Sequence, residues 1–307
     1  MSQAASGVTD GLVLIDKAPG LTSQRVVKGV RQALALRKAG HAGTLDPSAT
    51  GLLVVGIGRA TRLLGYLSDQ DKTYEATIRL GQATTTDDAD GEPLGPVQAA
   101  AGLSPAVIEA AMRHYVGAIE QVPSSVSAVK VNGRRAYAMV RAGQAVSLPP
   151  RLVTVSRFEL TARRDRGPLI DLGVVVDCSS GTYIRALARD LGHDLGVGGH
   201  VVALRRTRVG TLDVSRAVPL ERLGPADVAD LATVAALIAP RIDVDDDVAR
   251  LIAVGAGLDL ALAGRLAALF WRGQPLALYR VDPDDPARAR PAVVLVDSAA
   301  GVGALGR

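Results

Sequence analysis

His41-Ala42-Gly43-Thr44-Leu45-Asp46-Pro47-Ser48-Ala49-Thr50-Gly51 lies between two apolar stretches and reads as a loop carrying a single carboxylate. Pro47 disfavours helix at the residue before it, so Asp46 is expected in an extended or turn conformation. Gly43 and Gly51 flank it, where backbone can approach a ligand with no side chain in the way. A carboxylate on a loop anchored by rigid elements suits a nucleophile or a base. The same residues also suit a plain turn whose aspartate hydrogen-bonds its own backbone. The rest of the chain has to separate the two.

Upstream of the loop, Gly11–Lys17 reads as a short buried strand and Pro19-Gly20 as a turn. Thr22 or Ser23 then caps a helix running to about Leu36. Downstream, Leu52–Ile57 reads as a buried strand and Ala60–Leu67 as a short helix. Lys72–Leu80 alternates like a strand and leads into the acidic loop Thr84–Glu92. Ser104-Pro105 opens a helix expected to reach about Ile119. A strand around Ser127–Val131 ends at the turn signal Asn132-Gly133, and Arg134–Ala142 is expected to be helical. Arg151–Arg163 and Pro168–Cys178 are expected to pair as strands. Thr182–Leu195 follows as a helix and Val201–Gly210 as a basic strand.

Strands and helices mix without regular alternation. That favours an α+β fold, a mixed and mostly antiparallel sheet flanked by helices, over a doubly wound one. A boundary is expected near Ala239-Pro240. Residues 1–238 would then form one domain, and 239–307 a small β-rich domain with the strand-like Pro275–Val281 and Ala292–Val296.

At 307 residues and 48% hydrophobic content, the chain can bury the cores of two domains. Cys178 is its single cysteine, so neither an intramolecular disulfide nor a multi-cysteine zinc site is possible. The opening MSQAASGVTD lacks the basic-then-apolar order of a signal peptide, and no apolar run reaches membrane-spanning length. The expectation is a soluble cytoplasmic protein. Charge is uneven: residues 121–220 hold 15 Lys/Arg against 7 Asp/Glu, a larger excess than the +4 of the whole chain. Clustered basic charge suits a polyanion such as nucleic acid.

Several cofactor motifs fail. Gly301-Val302-Gly303-Ala304-Leu305-Gly306 has dinucleotide-loop spacing but lies at the tail with no helix to follow. Asp243–Val254 begins like a calcium loop, yet Val248 stands where glycine is needed and Val254 where the bidentate glutamate belongs. There is no phosphate loop, and the four histidines miss zinc-ligand spacing. No cofactor and no metal are expected.

Five stretches instead resemble, in order, the motifs of bacterial tRNA pseudouridine-55 synthases. They are Gly11–Ser23 (GLVLIDKAPGLTS), Gly40–Leu53 (GHAGTLDPSATGLL), Lys72–Glu75 (KTYE), Ser180–Arg185 (SGTYIR) and Gly199–Gly210 (GHVVALRRTRVG). With the segments between them they span roughly the first 220 residues. The resemblance implies isomerisation of uridine 55 in the T loop of transfer RNA on a flipped-out nucleotide, and a C-terminal RNA-binding domain of the PUA type.

By the same resemblance, Asp46 is the catalytic carboxylate, attacking the ribose or removing its 2′ proton. Arg185 would pair with it, depress its pKa and keep it ionised, and Asp88 would join that ionic network. Tyr74 would stack on the uracil and Tyr183 would serve proton transfer at the new carbon. Leu204 would floor the pocket, and His41 would fill the gap left by flipped nucleotides. Arg62, Lys130, Arg141 and Arg151 fall where the family binds transfer RNA, the last three in or near a clamp-like insertion spanning about 123–152. The family's Pro-x-x-Tyr-Ser-Ala becomes Pro123-Ser124-Ser125-Val126-Ser127-Ala128 here, so no aromatic contact is expected at Val126. Without the resemblance, Tyr74 and Tyr183 read better as sheet and helix packing residues, and Arg185 as a surface residue paired with Asp190 or with nothing. A transfer RNA-binding or folding factor without chemistry is the alternative function. The expected state is a monomer with no obligate protein partner.

Overall fold

The computed structural model describes residues 9–124, 130–131, 134–135 and 148–296. Its framework is a nine-stranded sheet, built from strands whose apolar residues are covered on both faces. Strand β1 (Gly11–Lys17) runs antiparallel to β3 (Thr50–Ile57), in which every residue after Thr50 is buried. The short β2 (Ala39–Ala42) pairs with the other edge of β3. Next come β4 (Lys72–Leu80), a small hairpin of β5 (Ala83–Thr84) and β6 (Pro93–Leu94), and β7 (Gly117–Gln121). A separate two-stranded pair joins β8 (Lys130–Val131) to β9 (Arg134–Arg135). The long β10 (Arg151–Arg166) and β11 (Leu169–Cys178) form a hairpin; β12 (Gly199–Val209) and β13 (Leu212–Asp213) close the set.

The main sheet has the order β1-β3-β12-β4-β11-β10-β7. All its pairings are antiparallel except β12 with β3, which meet in parallel at Arg205–Thr50 and Arg206–Gly51. The expected mixed, mostly antiparallel sheet is therefore present. Helix α1 (Ser23–Ala33) begins where Thr22 Oγ1 accepts from Arg25 N at 3.1 Å, and it buries Ser23, Val26, Val27 and Val30 on one stripe. Short α2 (Leu64–Ser68) follows a 3-10 turn over Gly58–Leu63. Helices α3 (Pro105–Arg113) and α4 (Ile184–Asp194) share the larger apolar core with α1.

Two expectations are corrected. The helix opened by Pro105 stops at Arg113, and Gly117–Gln121 is a strand instead of its last turn. Gly117 takes φ +110, which breaks the helix, and the five residues gain a ladder with Arg151–Val155. Arg134 and Arg135 are strand residues, paired with Val131 and Lys130, not the start of a helix. The remainder of that expected helix lies outside the described residues.

Beyond α5 (Leu231–Ile238) lies a second sheet of four strands, β14 (Arg241–Asp243), β15 (Leu266–Trp271), β16 (Gln274–Val281) and β17 (Ala289–Val294). The calcium-like stretch is the end of β14 followed by α6 (Asp246–Ala253), whose N-cap Asp245 accepts from Val248 N at 2.9 Å. This β-rich unit shares one core with the main sheet: Leu52 and Leu63 cluster with Phe270, Leu278 and Leu295. Arg59 Nη1 donates to Leu295 O at 3.2 Å and Arg62 Nη1 to Val294 O at 2.8 Å. Among the described residues, no helix is long and apolar enough to cross a membrane.

Candidate active site

The Asp46 loop is tethered from several sides by buried groups. The Ser23 hydroxyl, at the start of α1, donates to Leu45 O at 3.0 Å and accepts from Leu45 N at 2.9 Å. Lys17 Nζ, at the end of β1, donates to Ala18 O and to Pro47 O, both at 3.0 Å. Arg206, 1% exposed, reaches from β12 to the two sides of the loop, with Nε on Leu52 O at 2.8 Å and Nη2 on Gly43 O at 3.0 Å. Gly43 has φ +83, which favours glycine, and a Cβ there would crowd Arg206 Nη1 at 3.2 Å. A loop so held presents its carboxylate from a fixed backbone.

That carboxylate opens into a cavity of about 530 Å³. Asp46, Tyr74, Arg151, Tyr183, Arg185 and Leu204 all line it, so six of the residues named from sequence meet in one place. Tyr74 comes from β4, Leu204 from β12, and Tyr183 and Arg185 from the start of α4. Gly181, at φ +84, turns the chain from β11 into that helix. Arg185 Nη2 lies 3.1 Å from Asp46 Oδ2, while its Nη1 donates to Asp88 Oδ2 at 3.0 Å and to Thr86 O at 2.9 Å. Asp190 pairs with Arg189 at 2.7 Å. Asp88 stands behind Arg185, where its other oxygen accepts from the Thr86 hydroxyl and from Asp90 N at 3.1 Å.

The electrostatics of Asp46 differ from the expectation in direction. Burial pushes its pKa above the ordinary carboxylate value; Arg185 and Lys17 pull it down, and Asp88 pushes it further up. Desolvation therefore outweighs the arginine. Burial also drives two lysines down to about 8, Lys17 and the cavity residue Lys72. Lys72 Nζ is held by Ser68 O at 2.8 Å and Gln70 O at 2.6 Å. Tyr74 is raised, again chiefly by burial.

The remaining sequence candidates lie elsewhere. His41, on β2, does not line the cavity; its Nε2 is 3.3 Å from Gln24 Nε2. Arg62 stands at the junction with the second sheet. Lys130 is a strand residue whose side chain is not described, and Arg141 falls outside the described residues. Sequence reading overlooked Lys17, Ser23, Lys72, Gln121 and Arg206. All but Gln121 stand inside the quoted motifs, and for Lys17 the available signal is a charge at the end of an expected buried strand. Among the described residues, no group of three or more His, Cys, Asp or Glu could hold a metal ion.

The N-terminal domain model described as TruB family pseudouridylate synthase matches residues 31–184, and the tRNA pseudouridylate synthase B C-terminal domain matches 185–240. The tRNA pseudouridine synthase B of Cutibacterium acnes is 51% identical over 291 residues, covering 93% of this chain and 98% of the relative. That of Rhodococcus jostii is 52% identical over 274 residues, covering 88% and 90%. In the crystal structure of a Cbf5-Nop10-Gar1 complex, one chain superposes with a TM-score of 0.70 at 24% identity, covering 94% of this chain and 86% of its own. A second neighbour, from the archaeal box H/ACA sRNP Nop10-Cbf5 complex, has a TM-score of 0.68 at the same identity. The fold and these matches define a pseudouridine-forming isomerase. The chain belongs to the TruB family of pseudouridylate synthases.

Proposed function

We propose that the enzyme converts uridine 55 in the T loop of transfer RNA to pseudouridine. The observation that carries this reading is Asp46 at the mouth of a cavity, paired with a buried arginine and flanked by two tyrosines. The reaction breaks the bond from uracil N1 to ribose C1′, joins C5 to C1′, releases the C5 proton and leaves N1 carrying one in its place. Electrons and atoms balance within the nucleotide, so the isomerisation needs no redox partner.

Asp46 acts as nucleophile or base at the ribose. Arg185 holds it in place and offsets part of its desolvation; Asp88 in turn holds Arg185. The target base lies within a folded T loop, so it must be flipped into the cavity, at a cost of a few kcal/mol. Tyr74 stacks on it and Leu204 closes the apolar side. Tyr183 handles the proton at C5. His41 fills the space the nucleotide leaves. Basic residues of the 121–220 segment, Arg151 among them, neutralise backbone phosphates, with Lys130 and Arg141 joining them from the insertion.

The two units divide at about residue 239, and the second contributes RNA contacts as a PUA-like domain. In this reading the enzyme works in the cytoplasm as a monomer without a guide RNA. Release of tritium from transfer RNA labelled at uracil C5 tests it. Stoichiometric release, lost when position 55 is changed to cytidine, is expected. Binding without release would leave a transfer RNA-binding factor instead.

A further inference from the structure

We infer that Gln121 is a positioning residue for Tyr183: its amide fixes the tyrosine's main chain so that the ring stands correctly in the cavity. This rests on the reading of Tyr183 as the group that handles the C5 proton. Gln121 closes β7 and is 2% exposed. Its Oε1 accepts from Tyr183 N at 2.8 Å and its Nε2 donates to Tyr183 O at 3.1 Å. Since a backbone N–H only donates and a carbonyl only accepts, the two bonds fix which way the amide faces.

Tyr183 needs such a partner. It is the N-cap of α4, with φ −105 and ψ 107, and no side chain caps the helix there. Its carbonyl also accepts the helical bond from Leu187 N at 3.2 Å. Gln121 therefore satisfies the tyrosine N–H and adds a second bond to its oxygen. Removing the amide frees the residue immediately before the first turn of α4, where Arg185 sits two positions on. Gln121 also stands opposite Arg151 in the ladder, so the strand end that holds Tyr183 is joined to another cavity residue. Only the main chain of Tyr183 is engaged, so the amide acts on the ring through geometry and not through its acidity.

The test compares Gln121→Met, Tyr183→Phe, the double variant and Gln121→Glu by single-turnover rate on saturating transfer RNA, with binding and thermal unfolding measured alongside. Gln121→Met should slow the step by about ten- to a hundred-fold with transfer RNA affinity held within about twofold, the size expected from a misplaced group. The double variant should be no more than about twofold slower than Tyr183→Phe, because the two act as one unit. Gln121→Glu supplies an independent readout. Ionised, it accepts from Tyr183 N but cannot donate to Tyr183 O; protonated, it does both. Its rate relative to the parent's at the same pH should therefore climb as pH falls, whereas a purely structural glutamine would leave that ratio flat. Parental turnover in Gln121→Met, or effects that multiply in the double variant, would overturn the assignment alone. Parental turnover in Tyr183→Phe would instead remove the tyrosine reading, and this inference with it. Should Gln121→Met fail to fold, the glutamate ratio decides.

Discussion

Arg185 lies 3.1 Å from Asp46, yet only one of the two is sealed from solvent: the arginine side chain is 7% exposed and the aspartate's 40%. The guanidinium is buried between two carboxylates, and the outer one faces the cavity. The stronger hold on Arg185 is therefore the inner partner Asp88, 13% exposed, while solvent screens the outer pair. Asp46 is left with a raised pKa and a fixed position.

An acid limb in the rate follows. Turnover needs ionised Asp46, so activity should fall as pH drops through a value above the ordinary 3.8. Arg185→Met removes the charge that lowers it, and the limb should move further toward alkaline pH. At neutral pH the rate should drop by about two orders of magnitude, the size expected when a reacting group loses the partner that holds it in place. Single-turnover rates against pH for both proteins check this, and a near-parental neutral rate for the variant would place Arg185 outside the machinery.

Asp46→Asn should abolish turnover and spare transfer RNA binding. The amide keeps the shape but removes the charge and the nucleophile. Filter binding and tritium release on the same preparation give the answer; product from a purified variant would rule out Asp46 as the reacting group.

The depressed lysines make stability depend on pH. Lys17 and Lys72 hold protons less well in the folded chain, at about 8, than at their ordinary 10.5. Between those values the unfolded chain binds more protons, so their contribution to stability rises with pH. Urea midpoints across this window should climb more in the parent than in Lys72→Met. Equal slopes would mean that Lys72 is not depressed in the fold.

Salt separates two arginines that sequence alone placed together. Arg151 lines the cavity, whereas Arg62 is bonded to Val294 O. Arg151→Ala should reduce the slope of log affinity against log salt by about one. Arg62→Ala should leave that slope unchanged and speed amide exchange in β17. A flattened slope for Arg62→Ala would restore it to the RNA surface.

What the sequence made legible follows from the range of each interaction. Strands β1, β3 and β4 announce themselves as local apolar patterns, and the Gly181 turn delivers Tyr183 and Arg185 within six residues. Gly117–Gln121 does not, because its partner Arg151–Val155 lies thirty or more residues away; Gly117 marks where the helix stops but not that a strand follows. The direction of the Asp46 shift was hidden for a related reason. A named partner shows in a motif, but the walls that desolvate the carboxylate come from several distant segments. For Arg62 a basic residue in the sequence does not reveal the carbonyl of Val294 that it meets.

The place of β12 in the sheet has a consequence for biosynthesis. It is the strand through which β1 and β3, with the Asp46 loop between them in sequence, are joined to β4 and the tyrosines, and it is nearly the last strand of that sheet to be made. Until residues 199–209 leave the ribosome, the nascent chain holds two unjoined half-sheets, and Arg206 is not yet available to grip Gly43 and Leu52. Catalytic competence therefore arrives late and at once, and a chain arrested before residue 199 is inert however well its first half has folded. Such long-range closure also makes for slow maturation, since β12 must meet strands far from it in sequence before the two halves join.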